Sequence, residues 1–217
     1  MSSLKEGANL CMQINAFYNR EGIGDVLMVL LKDGDRHHQV VERKDDVAIV
    51  KAADGSVNGY NVFNASNYFN VSDWHGSVDL TAELIETLGV ILRKQNIEAD
   101  LSGVDFTPTF VVGYVESAEK HPDADKLSIC QVKIDQGTVQ IVCGAPNVAA
   151  GQKVVVAKPG AVMPSGLIIR PSKLRGESSH GMICSARELN LPDAPQEKGI
   201  LVLDDEYEVG KAFEIGR

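Results

Sequence analysis

The chain of 217 residues is longer than the usual domain of about 100 to 150 residues, so its length favours two compact units over one. A hydrophobic fraction of 44% and a charged fraction of 24% are typical of a folded globular protein and argue against disorder or a fibrous repeat. The formal net charge of −9 would ordinarily argue against a polyanionic partner. No apolar run approaches the roughly 18 residues of a membrane helix and the first residues lack a secretory pattern, so we expect a cytoplasmic protein.

The distribution of proline predicts where the two units meet. All eight prolines lie between Pro108 and Pro195, whereas residues 1–100 contain none. We therefore predict domains of residues 1–100 and 101–217, joined by a linker from about Ile97 to Thr107. The four cysteines lack metal-ligand spacing, and they give no indication of a metal site or a disulfide framework.

The first half contains short β-like runs followed by one helical pattern. The runs are Leu10 to Tyr18, Asp25 to Leu31, Gln39 to Val41 and Val47 to Lys51. The pairs Asp33-Gly34 and Asp54-Gly55 are turn signals of the kind that hairpins use. Between Asp79 and Gln95 the apolar residues fall at helical spacing, with Asp79 or Ser77 as the N-cap. These patterns predict an α+β domain, a small antiparallel sheet covered by one main helix.

Asparagines recur at every third position from Asn58 to Asn70, interleaved with aromatic residues. Aromatic rings beside amides could stack on bases and bond their edges. Asparagine side chains also bond the local backbone in turns, and this second property is the commoner one. We therefore expect an irregular segment here.

The second half changes to strand-like runs separated by Pro, Gly, Asn or Asp. The runs are Phe110 to Glu116, Leu127 to Ile134, Val139 to Cys143, Val154 to Ala157, Gly166 to Ile169, Met182 to Ser185 and Ile200 to Leu203. The segment Asp135-Gln-Gly137 is expected to close a hairpin. Short strands without a long helix predict a small closed barrel or a sandwich, and we favour an all-β OB-fold barrel by analogy with barrels of this size.

Loop signals interrupt these runs at residues 121–126, 143–147 and 172–182. In the first loop Lys126 would stand at a strand start, within reach of a phosphate. Alternatively His121, Asp123 and Asp125 could hold a divalent cation, although a fourth ligand is lacking. In the second loop Asn147 suits either a bond within its own loop or a contact to RNA.

The third loop combines Lys173 and Arg175 with small polar donors, a mixture suited to phosphate and ribose contacts. It lies within residues 152–187, which carry six cations against Glu177 alone, a net charge of +5. The cations are Lys153, Lys158, Arg170, Lys173, Arg175 and Arg187. Affinity for phosphate depends on where cations cluster rather than on their sum. A solvated strand face would give the same count.

Aromatic residues are absent between Tyr114 and Tyr207, so this barrel lacks the platform on which single-strand binders stack bases. Folded RNA, recognised by shape and backbone, fits better. Catalysis is weakly supported, because His180 and Cys184 have no identifiable third orienting group. A buried apolar role is the more common one for a cysteine such as Cys184.

These residues resemble the tRNA-binding module of the bacterial phenylalanyl-tRNA synthetase beta chain and of EMAP-type factors. The resemblance runs from about Phe110 to Ile215 and includes the pattern Arg175-Gly-x-x-Ser179-x-Gly-Met182 and the closing Gly199 to Leu203. With its first half, the chain resembles the YtpR-type stand-alone bacterial tRNA-binding proteins. The resemblance implies an OB barrel that binds tRNA without chemistry, cofactor or metal, and it assigns no role to the first domain.

Carried over by position, the resemblance implies a set of seven tRNA-binding residues. They are Lys126, Asn147, Lys173, Arg175, Ser179, Met182 and Ser185. The alternatives are a general single-stranded nucleic-acid binder and a protein-interaction scaffold associated with the translation machinery. The sequence leaves open whether two chains pair as a homodimer.

Overall fold

The computed structural model describes residues 14–32, 34–35, 37–195 and 197–215. The chain divides between Phe106 and Thr107 into two units, each with its own hydrophobic core. Residues 10–13 of the predicted first run and Asp33 of the first predicted turn lie outside the described residues. Within the described ranges, the structure contains no helix with the length and apolar character that crossing a membrane requires.

The first unit contains a six-stranded antiparallel sheet with the order β3-β4-β5-β2-β1-β6. Its strands are β1 (Asn15–Tyr18), β2 (Val26–Leu30), β3 (Val40–Lys44), β4 (Val47–Lys51), β5 (Val57–Phe63) and β6 (Gly76–Val78). They are accompanied by helices α1 (Arg20–Ile23) and α2 (Ala82–Lys94) and by a 3-10 turn at Ala65–Asn67. The sheet is therefore larger than the small one predicted from the sequence.

Helix α2 begins later than its sequence pattern predicts. Its N-cap is Thr81, whose hydroxyl accepts a hydrogen bond from the amide of Leu84 at 3.1 Å, so the predicted caps Asp79 and Ser77 are wrong. Threonine is a good cap because its side-chain oxygen satisfies an amide left without a partner in the first turn. The apolar face of α2 packs into the core with strands β1, β2 and β5.

The predicted irregular segment after Asn58 is wrong for Val57–Phe63, which forms β5 between β4 and β2. Tyr60 and Val62 are buried and belong to the core, while Asn61 and Phe63 alternate with them and are half-buried. A strand places successive side chains on opposite faces, and the three-residue recurrence of asparagine obscured this period of two.

The second unit is mostly β, as predicted. Its strands are β7 (Phe110–Lys120), β8 (Ser128–Ile134), β9 (Gly137–Cys143), β10 (Lys153–Ala157), β11 (Ser172–Leu174), β12 (Glu177–Ser179), β13 (Met182–Ile183) and β14 (Val202–Leu203). The main sheet has the order β13-β10-β7-β8-β9, with β14 paired to β10 and all pairs antiparallel. Gly166 to Ile169 is not a strand, because only an isolated bridge joins Val162 to Ile168.

This sheet curls until its two ends meet. Strand β13 pairs with β10, and the amide of His180, just before β13, donates to the carbonyl of Gln140 in β9 at 2.9 Å. The closed order around the unit is then β7-β8-β9-β13-β10. Strand β10 is buried on both faces, because Val154 and Val156 face one core cluster while Val155 and Ala157 face another.

Candidate nucleic-acid interface

The predicted third loop contains a hairpin, β11–β12, which the sequence analysis missed. Leu174 is paired with Glu177, so Arg175 and Gly176 alone form the turn. Both have positive φ, 52° for Arg175 and 95° for Gly176. Positive φ at both central residues is the conformation of the type I′ hairpin turn, and glycine or asparagine adopts it at low cost. Arg175 therefore occupies an unfavourable backbone conformation at an exposed hairpin tip, beside exposed Lys173.

Strand β12 is fastened to β9 by side chains. Ser179 is 2% exposed, and its hydroxyl accepts from the amide of Val142 at 3.1 Å and donates to the carbonyl of Gly181 at 3.3 Å. The side-chain amide of Gln140 donates to the backbone carbonyl of Ser178 at 2.9 Å. Ser179, the last residue of β12, therefore holds the hairpin against β9.

The first loop lies against the same hairpin through His121, which is 4% exposed. Its Nδ1 accepts from the amide of Asp123 at 3.1 Å, and its Nε2 lies 3.3 Å from the carbonyl oxygen of Leu174. Lys126, at the end of this loop, is exposed. Among the described residues no three His, Cys, Asp or Glu side chains are grouped as a metal site would require.

The second loop is joined to the segment that leads into β14. The side chain of Asn147 donates to the carbonyl of Ile200 at 3.0 Å and accepts from the amide of Ile200 at 2.8 Å. A Cβ atom on Gly199 would lie 2.8 Å from the Oδ1 atom of Asn147, so a larger residue there would displace the Asn147 amide. Both ends of the Asn147 amide therefore hold the protein together.

Ser185 and Met182 lie farther along the chain, around β13. The amide and hydroxyl of Ser185 donate to the carboxylate of Glu188 at 2.8 and 2.7 Å, and the amide of Glu188 lies 3.2 Å from the Ser185 hydroxyl oxygen. This reciprocal arrangement matches the capping box that begins a helical turn. Met182 is half-buried.

An open groove of about 850 Å³ brings some of the predicted residues together. Ser179, Met182 and Ser185 line it. Lys126, Asn147, Lys173 and Arg175 are not among the described residues that line it, although Leu174 of the hairpin is. The groove also has three exposed cations that the predicted set omits, Arg170, Arg187 and Lys198. Arg170 and Arg187 were visible in the charge count, whereas Lys198 lies in an acidic stretch and carried no signal.

The cations of residues 152–187 do not form one exposed surface, because two of them are bonded to protein groups. Lys158 is buried, and its ammonium lies 2.9 Å from the carboxylate of Asp135. Lys153 donates to the carbonyl of Asp205 at 2.6 Å. The cations exposed at and beside the hairpin, Lys173 and Arg175, are better placed to meet an external anion.

The buried cysteines are poor nucleophiles. Burial raises the pKa of Cys184 to about 12, and burial together with the neighbouring Cys143 raises the pKa of Cys130 to about 11. Because the thiolate is the reactive form, these side chains are unreactive near neutral pH. Cys143 is also buried, and burial raises its pKa.

Comparison with known proteins gives matches to both units. A family model described as "Putative tRNA binding domain" matches residues 110–212, and one described as a domain of unknown function matches residues 34–103. A Bacillus subtilis protein, "Putative tRNA-binding protein YtpR", is 54% identical over 202 residues, covering 93% of this chain and 100% of the relative.

Synthetase subunits match over a smaller region. The phenylalanine–tRNA ligase beta subunit of Oceanobacillus iheyensis is 50% identical over 143 residues, 61% of this chain and 17% of the subunit. The corresponding subunit of Nitratidesulfovibrio vulgaris is 51% identical over 115 residues, 52% of this chain and 14% of the subunit. The chain thus spans less than a fifth of these subunits, but it spans the whole Bacillus relative. It therefore belongs to the YtpR family.

Proposed function

We propose that residues 107–217 form an OB-fold barrel that binds folded tRNA without catalysing a reaction on it. The closed strand order β7-β8-β9-β13-β10 is that of a five-stranded barrel whose loops are free to meet a ligand. The description of the Bacillus relative, which matches over its full length, supports tRNA as the ligand. The high pKa of Cys184 supports a role in binding rather than in chemistry.

The observation that carries the proposal is the hydrogen-bonded approach of the first loop to the hairpin tip. Through the contact of His121 with Leu174 it links the loop that carries Lys126 to the hairpin that carries Lys173 and Arg175, and all three cations are exposed. Phosphate contacts come mainly from exposed lysine and arginine, and they position a protein on RNA without reading its bases.

The other four predicted residues have different roles in this proposal. Asn147 and Ser179 hold the backbone that carries the loops, since their polar atoms bond to protein groups. Met182 and Ser185 line the groove, where ribose and backbone of the RNA would lie. Arg187 and Lys198 are further phosphate-binding candidates at this groove.

The lack of an aromatic platform supports folded RNA over an unpaired strand. From residue 115 to residue 206 the chain contains no Phe, Trp or Tyr. Single strands gain much of their affinity from stacking, at about 1–3 kcal/mol per base, and that contribution is missing here. An acidic body around a small cationic face also limits unselective attachment to other polyanions.

The test replaces Lys126, Lys173 and Arg175 together with Ala in the full chain. We expect tRNA binding to be lost at physiological salt, while the thermal unfolding midpoint stays close to that of the parent. In the parent, log K should fall against log salt with a slope of roughly −2 to −3 if about three phosphates are contacted. Unchanged affinity of the triple variant would contradict the proposal.

A matched control removes the same formal charge elsewhere. Lys94, Lys133 and Lys211 are exposed and lie outside the hairpin and the first loop. Replacing these three with Ala should leave affinity and salt slope nearly unchanged. Competition by total tRNA and by a single-base polymer of equal length then separates folded RNA from single strands, since equal competition would favour the single-strand alternative.

A further inference from the structure

We propose that His121 is a positioning residue that joins two separate groups of cations into one binding surface. It holds the hairpin carrying Lys173 and Arg175 against the loop carrying Lys126. The residues joined are His121 and Leu174, which are 53 positions apart in the chain. This inference rests on the proposed function of the same face.

The ring of His121 uses both nitrogens. Because Nδ1 accepts from the amide of Asp123 at 3.1 Å, the ring proton lies on Nε2, which donates to the carbonyl of Leu174 at 3.3 Å. One neutral tautomer thus satisfies a donor in the first loop and an acceptor in the hairpin. With only 4% of the residue exposed, water competes little for either contact.

His121 contacts Leu174 at the peptide bond that precedes the strained residue Arg175. The Leu174 carbonyl belongs to this bond, and the φ of Arg175 is 52°. An unfavourable backbone conformation persists only where the surroundings hold it. Gln140 and Ser179 hold β12, whereas His121 holds β11. Both strands of the hairpin are therefore held by hydrogen bonds, which position the backbone that carries Lys173 and Arg175.

Two substitutions separate the two halves of the ring. Asparagine places a carbonyl oxygen near the position of Nδ1, so His121→Asn keeps an acceptor for Asp123 and loses the donor to Leu174. Glutamine places an amide nitrogen near Nε2, so His121→Gln keeps the donor and loosens the turn at Asp123. A residue that acted only through packing would respond to both changes in the same way.

The experiment measures three quantities for each full-length variant: amide hydrogen exchange at the paired residues Leu174 and Glu177 in the free protein, tRNA affinity across a salt series, and the thermal midpoint. For His121→Asn we expect hairpin exchange to be roughly fivefold faster, as loss of one ordinary hydrogen bond implies. Affinity should fall by about tenfold and the salt slope should move to about −1, because the backbone that positions the hairpin cations loses this contact. For His121→Gln, hairpin exchange should stay within about twofold of the parent and affinity should exceed that of His121→Asn.

Several results would overturn the inference. Parental exchange and slope in His121→Asn would do so, as would losses in both variants that simply follow the thermal midpoint. If His121→Asn does not fold, His121→Gln alone must show faster exchange at Asp123 with an unchanged hairpin. Normal tRNA affinity of the triple Ala variant would remove the proposed function and the binding role of His121 with it, whereas failure of the His121 variants alone leaves the proposed function standing.

Discussion

Arg175 offers a test in which stability and binding should move in opposite directions. It occupies the first position of the two-residue turn between Leu174 and Glu177, with a φ of 52°. Asparagine is the residue best suited to that position after glycine, whereas arginine is not. We predict that Arg175→Asn stabilises the hairpin and weakens tRNA binding.

The expected sizes follow from the backbone and the charge. A left-handed residue other than Gly, Asn or Asp costs about 1–2 kcal/mol, so relief by asparagine should be worth about 0.5–1 kcal/mol. That corresponds to amide exchange slower by about two- to fivefold at the paired residues Leu174 and Glu177. Loss of one charge-assisted contact, worth about 1.5–3 kcal/mol, should weaken binding by about tenfold or more. The salt slope should become shallower by about 0.9.

Two controls isolate the two effects. Arg175→Lys keeps both the charge and the backbone penalty, so exchange should not change and the salt slope should be preserved. Lys173→Asn removes a charge from an exposed strand position, so it should weaken binding without slowing exchange. Native-state exchange by NMR and a tRNA titration at several salt concentrations measure both quantities. Faster exchange in Arg175→Asn, or unchanged affinity, would refute the reasoning.

Two further predictions concern side chains that hold the fold. Asn147→Ala leaves the backbone donor and acceptor of buried Ile200 without partners and should cost about 2–4 kcal/mol in urea unfolding. Asn147→Asp keeps the acceptor for the Ile200 amide but sets an oxygen against the Ile200 carbonyl, so it should also destabilise the protein. Equal stability of all three proteins would contradict this role. Partial burial raises the pKa of Asp25, but hydrogen bonds from Ser66 and Tyr18 lower it more, and the net pKa lies below the usual 3.8. The stability that ionised Asp25 contributes is therefore fully present above pH 3.8 and is lost as the pH falls through the lower pKa of the folded state. The difference in unfolding free energy between the parent and Asp25→Asn should then shrink between pH 5 and pH 2. A difference that stays constant would contradict this role of Asp25.

Sequence patterns predicted element types better than element bounds. Val47 to Lys51 was predicted with both ends in place, because its apolar run is bounded by turn residues. The helix was predicted from the spacing of its apolar residues, which form its buried face in the structure. That spacing does not determine which of the polar residues Ser77, Asp79 and Thr81 is the N-cap. Geometry decides for Thr81, whose hydroxyl reaches the amide of Leu84.

The hairpin β11–β12 was not predictable by the same means. Its strands have three residues each, and β11 is exposed throughout, so no apolar alternation marks it. Its turn has arginine where a hairpin signal has asparagine or glycine. Strands of this kind form because neighbours hold them, and the contacts from His121, Gln140 and Ser179 are long-range in sequence.

The motif residues of the three loops are of two kinds: polar side chains that bond protein groups, and exposed cations. Their order in the sequence does not distinguish the two. His121, Asn147 and Ser179 each use both a donor and an acceptor on protein groups, and His121 and Ser179 are nearly buried. Lys126 and Arg175 stand exposed beside them. A small polar residue can satisfy a buried backbone group, while a long cation cannot be buried cheaply without an opposite charge. The short polar side chains therefore hold the loops in place by hydrogen bonds, and the long cationic side chains remain exposed, where they can contact phosphate.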